Sequence, residues 1–334
     1  MKFSDIKAII KAHINAGDTK TVPIILGSPG CGKSALGYEL AQEMGFAHFA
    51  DLNFSLLDTP DIGGLALIGE QGSDVLHFKK SPLLAPFQTG RNLLILDEIG
   101  DATMGMQNLA RRLEWTREIN GLRLSDETFI VMMSNRSKDK SGAGRLSGKI
   151  KNATSQFTLE TNLDDWVNNF ALPRGINPVL IQFLRFRPNL LDMYDADADT
   201  SPTPRQWELV DRVPETLSTE LFFHDVASKV GDGPAAEYTA FRKIYAALVS
   251  VEDVVMNPKG TPIPEDLAAQ YAIVGSLAHN TTIGNVDRIA EYVDRMPSDF
   301  GVMYWMDARK KTPAIKGTKA FVKWATANAN VVLN

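Results

Sequence analysis

Gly27-Ser28-Pro29-Gly30-Cys31-Gly32-Lys33-Ser34 is a complete G-x-x-x-x-G-K-S stretch. It follows the apolar run Val22-Pro23-Ile24-Ile25-Leu26 and precedes a segment in which Leu36, Leu40 and Met44 recur every four residues. A strand, a glycine loop and an amphipathic helix in that order read as a phosphate-binding loop. The glycines let the backbone take positive φ angles and approach a ligand closely. Successive N–H groups then converge on an anion, backed by the positive end of the following helix. Gly27, Pro29, Gly30, Cys31, Gly32, Lys33, Ser34 and Ala35 are the expected contacts of a nucleoside triphosphate. Lys33 serves there as a point charge on the β- and γ-phosphates, and the Ser34 hydroxyl as a ligand of Mg2+. Gly45 is placed to end the helix.

The totals suit a folded chain of about two domains: 334 residues, 44% hydrophobic and 22% charged, with a formal net charge of −5. There is no sustained basic stretch, so a large nucleic-acid footprint is not indicated, although a local channel inside an oligomer stays open. No apolar run approaches the ~18 residues of a membrane helix. The start, Met1-Lys2-Phe3-Ser4-Asp5-Ile6-Lys7, lacks the apolar core of a signal peptide. The single cysteine, Cys31, excludes an internal disulfide framework and points to the reducing cytoplasm. Within the loop it reads as a variable position, with a thiolate activated beside Lys33 as the alternative.

The fold class expected is α/β: a parallel sheet built on residues 1–160, followed by a helical domain over 161–334. Ile6, Ile9, Ile10 and Ile14 share one face of a helix over 4–16. Strands are expected at 22–26, 47–54, 93–96, 129–133 and 156–160, and a helix at 103–117. Leu93-Leu94-Ile95-Leu96 and Phe129-Ile130-Val131-Met132-Met133 are continuous apolar runs, the mark of strands covered on both faces. Residues 58–90 are turn-rich, with a hairpin suggested around Asp74–Lys79, and Asn120-Gly121 carries a tight-hairpin signal. Beyond 160, helical patterns separated by Gly231-Asp232-Gly233-Pro234 and Pro258–Pro264 take over.

Asp97-Glu98 directly follow the run ending at Leu96. An acidic residue at that place beside a phosphate loop holds Mg2+, and a second carboxylate can activate a water against the γ-phosphate. Metal ligands are therefore expected at Ser34 and Asp97, and the general base at Glu98. Asn135, at the end of the 129–133 strand, is placed to touch the attacking water or the γ-phosphate. In Ser201-Pro202-Thr203-Pro204-Arg205-Gln206-Trp207, Thr203 reads as an N-cap with Gln206 completing a capping box. Arg205 then falls in the first helical turn, where a cation opposes the helix dipole. A phosphate contact is the functional reading and a surface arginine the plain one. Asp195, Asp197 and Asp199 lack the Gly and Glu of a calcium loop. Arg185-Phe186-Arg187 reads as a helix end before Pro188, and His13, His48, His77, His224 and His279 show no metal-ligand spacing.

Together, the phosphate loop, Asp97-Glu98, Asn135 and Arg205 resemble the Walker A, Walker B, sensor 1 and sensor 2 positions of an AAA+ ATPase. Leu57-Asp58-Thr59-Pro60-Asp61-Ile62-Gly63-Gly64-Leu65 with Ser81-Pro82-Leu83-Leu84-Ala85-Pro86 is similar to a stretch of the MoxR-like branch. Asp164-Asp165-Trp166, Phe183–Pro188, Pro202–Trp207 and Ala320–Ala325 resemble a compact type of that branch carried by phages and bacteria. The similarity spans nearly the whole chain. It implies a sheet core with a helical lid and a ring of subunits, a hexamer, with ATP and Mg2+ at the interfaces. It also implies a von Willebrand A-type partner, remodelling of a protein or complex, and a cytoplasmic setting (the host's, if phage-encoded).

One departure stands out. Relatives carry an Asn-Arg pair after the segment matching Gly142-Ala143-Gly144-Arg145; the corresponding positions here are Asn152 and Ala153. Arg145, or secondarily Lys149 or Lys151, is then the candidate for the charge that reaches a neighbour's site. A nucleic-acid motor or loader on the same fold, and a nucleotide-gated scaffold with weak hydrolysis, are the competing functions.

Overall fold

The computed structural model describes residues 1–68, 76–139 and 145–328. Two compact units divide the chain. One comprises Met1–Asn162 with Tyr194–Asp199, the other Leu163–Met193 with Thr200–Asn334.

In chain order the first unit contains α1 (Phe3–Asn15), β1 (Pro23–Gly27), α2 (Lys33–Met44), β2 (His48–Asn53), α3 (Thr59–Gly63), β3 (Leu65–Ile68), β4 (Leu76–Lys79) and β5 (Asn92–Asp97). It continues with α4 (Met104–Thr116), β6 (Glu118–Ile119), β7 (Leu122–Arg123), β8 (Thr128–Asn135), α5 (Gly148–Ala153) and β9 (Ser155–Thr158). The main sheet has the order β2-β5-β8-β1-β9, and every pairing in it is parallel. With a glycine loop joining β1 to α2, this is the parallel α/β sheet with a phosphate-type loop expected from the sequence.

The apolar runs are continuous because alternate residues feed two different cores. Ile25, Leu93, Ile95, Phe129, Val131 and Met133 meet the isoleucines of α1 and the leucines of α2. Ile24, Leu94, Leu96, Ile130 and Met132 meet Met106, Ala110 and Leu113 of α4 and Ile150 of α5 on the opposite face. At Gly37 a Cβ would lie 2.0 Å from the Ile95 Cδ1 atom, so a larger residue there would have to push the Ile95 side chain aside.

Local signals read well where they are strong. Gly45 ends α2 in the left-handed conformation (φ 61°). Asn120 and Gly121 join β6 to β7 with φ 47° and 81°, the sign pattern of a type I′ turn. The suggested hairpin around Asp74–Lys79 is corrected. Residues 76–79 form one arm of an antiparallel ribbon whose other arm is β3, with Leu65 opposite Lys79 and Leu67 opposite His77. Asp74 and Val75 themselves lie outside the described residues. Leu65, Leu67 and Phe78 remain exposed on this ribbon, so no burial pattern marks its arms in the sequence.

Between α1 and β1 the Asp18 carboxylate gathers four donors. The Thr21 hydroxyl and N–H come first, followed by His13 and the Lys20 N–H, and they hold its pKa down to about 2 from 3.8. A depressed carboxylate stabilises the fold above its unfolded pKa and loses that contribution as pH falls through the folded one. The difference in urea midpoint between wild type and Asp18→Asn is therefore expected at neutral pH and should shrink between about pH 4 and pH 2. It will be small, because the group is solvent-screened.

The second unit is helical: α6 (Leu163–Trp166), α7 (Pro178–Phe186), α8 (Pro204–Asp211), α9 (Thr219–Val230), α10 (Asp232–Ala246), α11 (Val251–Met256), α12 (Leu267–His279), α13 (Val286–Val293), α14 (Ser298–Lys311) and α15 (Lys319–Ala327). A widened π turn over Val167–Ala171 continues α6. One core gathers Phe183, Trp207, Tyr238 and Phe241, the other Tyr292, Tyr304, Trp305 and Phe321. Helix α12 has apolar residues on two faces, because Ala268 and Ala272 serve the first core, while Ile273, Val274 and Leu277 serve the second. The basic-aromatic run ends α7 as expected. Arg185 forms a fork-like pair with Asp307, one arm at 2.8 Å, and Arg187 pairs with Glu237 at 2.6 Å.

Candidate functional site

At the C-terminal edge of the sheet, β1, β5 and β8 end side by side. Each ends in chemistry: the loop after Gly27, Asp97-Glu98, and Asn135. Gly30 (φ 76°) and Gly32 (φ 105°) supply the left-handed turns that bring the loop onto the start of α2. A side chain at either position would strain it. Cys31 is buried, and a Cβ on Gly27 would lie 2.6 Å from its sulfur. The thiol thus packs against the loop's first glycine, which fits a steric role for Cys31.

Lys33 is buried at the first turn of α2. Its ammonium donates to the Gly27 carbonyl at 3.0 Å, the Ser28 carbonyl at 3.0 Å and Asn135 Oδ1 at 2.9 Å. The Ser34 hydroxyl donates to Asp97 Oδ2 at 3.1 Å. Ala35 follows on the same turn of α2. So Lys33, Ser34, Asp97 and Asn135, drawn from three separate segments, meet at one sheet edge through these bonds.

Glu98 adopts φ 53°, an uncommon conformation for a residue with a Cβ. The turn around it is over-determined. The Glu98 N–H donates to Asp97 Oδ1 at 2.7 Å, the Ile99 N–H to the Met133 carbonyl at 3.1 Å, and the Gly100 N–H to Ser134 Oγ at 3.2 Å. This geometry turns the Glu98 side chain toward the end of β2. There Asn53 Nδ2 lies 3.0 Å and Ser55 Oγ 2.8 Å from Glu98 Oε2. Sequence reasoning misses both residues. The available signal is a polar side chain ending the 47–54 strand, but its relevance depends on the register that sets Asn53 against Asp97.

A third carboxylate is missed as well. Asp51, half-buried on β2, has its pKa pushed up to about 6, first by burial and then by the charges of Asp97 and Glu98; the Tyr38 hydroxyl partly offsets this. Burial and the Asp51 charge raise Tyr38 in turn.

Mg2+ prefers hard oxygen donors, takes one or two from protein, and fills its octahedron with waters and phosphate oxygens. The neighbouring oxygens of Ser34 and Asp97 suit that demand, and among the described residues no cluster of three or more His, Cys, Asp or Glu side chains forms a self-sufficient cage.

Arg145 is exposed, and its backbone carbonyl accepts from Gln107 Nε2 at 3.4 Å. Gln107 Oε1 also takes the Ser147 N–H at 2.8 Å, pinning this segment to α4. Gly142, Ala143 and Gly144 lie outside the described residues. Arg91, Arg111, Arg112, Arg117, Arg123 and Arg136 of the same unit each donate to a carbonyl or carboxylate. Among the described residues the Arg145 side chain makes no such bond, and Lys149 and Lys151 stand exposed on α5. Arg205 belongs to the second unit. It is exposed in the first turn of α8, where Thr203 Oγ1 caps the Gln206 N–H at 3.3 Å, the Thr203 half of the expected box. Asp195, Asp197 and Asp199 lie in an exposed loop closed by the Asp197 N–H on Asp195 Oδ1 at 2.9 Å. No helix among the described residues is long and apolar enough to cross a membrane.

No family model and no curated protein sequence matches the chain. Among solved structures it is similar to a putative ATPase from Cytophaga hutchinsonii at 12% identity, covering 90% of this chain and 80% of that one, with a TM-score of 0.35. A point mutant of RuvB from Thermotoga maritima matches at 13% identity, 79% of each chain and a TM-score of 0.41. NtrX from Brucella abortus matches at 14% identity, 89% of this chain, 66% of that chain and a TM-score of 0.35. Likeness this distant carries no argument about the site, and the fold assignment rests on strand order and on the loop between β1 and α2.

Proposed function

We propose that this protein binds and hydrolyses ATP with Mg2+, and uses the cycle, as a ring of subunits, to remodel a protein partner. The observation that carries the reading is the cluster at the sheet edge: Lys33 joined to Asn135 and Ser34 joined to Asp97, with Glu98 beside them. The loop N–H groups from Gly30 to Ala35 and the Lys33 ammonium would hold the β- and γ-phosphates. Ser34 and Asp97 would hold Mg2+, which neutralises charge on the phosphate oxygens. Glu98 would take a proton from a water whose oxygen bonds to the γ-phosphorus as the bond to the β,γ-bridging oxygen breaks, leaving ADP and phosphate. Asn135, bonded to Lys33, would orient that water or the γ-phosphate. Arg205 would sense the γ-phosphate from the helical unit.

The MoxR-like resemblance supports a hexamer, a von Willebrand A-type partner and a cytoplasmic setting. Nucleic acid is disfavoured by the acidic balance. Steady-state phosphate release, measured together with sedimentation with and without MgATP, tests the reading. Nucleotide-dependent assembly accompanied by turnover supports it; a monomer that neither binds nor hydrolyses ATP refutes it.

Because its side chain alone among the described arginines of its unit donates to no carbonyl or carboxylate, Arg145 is the proposed trans charge. Such an arginine is worth roughly 10³–10⁵ in rate where it acts fully. Arg145→Ala should therefore lower turnover by orders of magnitude while the affinity for a fluorescent ATP analogue stays within about twofold. Unchanged turnover removes Arg145 from the role. Ala153, at the position where relatives carry the arginine, favours the second reading, a nucleotide-gated scaffold. Assembly driven by ATP with negligible phosphate release would select it.

A further inference from the structure

Helix α2 presents polar side chains toward strands β5 and β2. Ser34 and Tyr38 are four residues apart on α2 and so share a face. Ser34 donates to Asp97 on β5, and the Tyr38 hydroxyl lies near enough to the Asp51 carboxylate on β2 to influence it. In the parallel register Asp51 lies opposite Ile95 and Asn53 opposite Asp97. Side chains alternate along a strand, so Asp51, Asn53 and Asp97 all point to the α2 side. The fold thus keeps a half-buried carboxylate within the field of Asp97 and Glu98. A like-charge arrangement of this kind weakens the protein alone and is relieved by a divalent cation at Asp97.

We propose that Asp51 is a positioning residue for the Mg2+ site, adding negative charge on the same sheet face as Asp97 and thereby setting how tightly the divalent cation is held. This rests on the reading of Ser34 and Asp97 as the Mg2+ ligands. Asp51 does not touch the cation; it acts through Asp97 and the local potential, as supporting groups around metal ligands do.

The test is the Mg2+ concentration giving half-maximal binding of a fluorescent ATP analogue to the full chain, for wild type, Asp51→Asn, Asp51→Glu and Asp97→Asn. Removing a supporting group typically costs about 10–100-fold in metal affinity. Asp51→Asn should therefore raise the Mg2+ midpoint by roughly tenfold, with Asp51→Glu restoring much of it. Nucleotide affinity in EDTA should stay unchanged, and the EDTA melting temperature of Asp51→Asn should be no lower than wild type, which a merely structural role does not predict. Equal Mg2+ midpoints for wild type and Asp51→Asn overturn the role of Asp51 while leaving the site reading intact. Nucleotide binding that ignores Mg2+ in wild type and in Asp97→Asn overturns the site reading itself.

Discussion

Lys33→Ala should lose MgATP binding by roughly two orders of magnitude, measured by titration calorimetry against wild type. The ammonium is the one charge at the centre of the loop, with the carbonyls of Gly27 and Ser28 and Asn135 Oδ1 each within 3.0 Å. Truncating one partner of a buried, hydrogen-bonded charge pair typically costs 2–5 kcal/mol. At about 3 kcal/mol the loss in affinity is near 10²-fold. The same truncation leaves two carbonyls and an amide oxygen without their shared donor, so some stability is lost as well. Lys33→Met, which keeps most of the side-chain volume, separates the two effects. Wild-type affinity in a folded Lys33→Met protein would refute the assignment of the loop.

Glu98→Gln should bind ATP as tightly as wild type and hydrolyse it about 10²–10⁴-fold more slowly, the usual contribution of a positioned general base. Glutamine has the same shape, tolerates the φ 53° turn no worse than glutamate, and its amide oxygen can still accept from Asn53 and Ser55. It loses only the capacity to take a proton from water. Brisk phosphate release from this variant would move the base elsewhere. If turnover does stop, the locked form is also the reagent for testing whether a proposed partner is captured.

Much of this architecture is legible in the chain. The phosphate loop, the helix stop at Gly45 and the Asn120-Gly121 turn are local φ requirements, and local requirements leave a mark on residue type. The runs around Leu94 and Val131 mark doubly covered strands because each face meets its own helices. The β3–β4 ribbon is not legible as such. Its arms are separated by several residues and its apolar side chains are exposed, so neither a tight turn nor a burial rhythm betrays the pairing.

The site divides in the same way. Read alone, the chain nominates Lys33, Ser34, Asp97, Glu98 and Asn135, because phosphate and Mg2+ chemistry demands particular residue types next to strand ends. It does not disclose Asn53, Ser55, Tyr38 or Asp51. Their places beside Glu98 and Asp97 arise from the parallel register of β2 against β5 and from the packing of α2, at Gly37, against Ile95. Register and interlayer distance are set by packing among segments far apart in sequence. No spacing within any one of those segments records them.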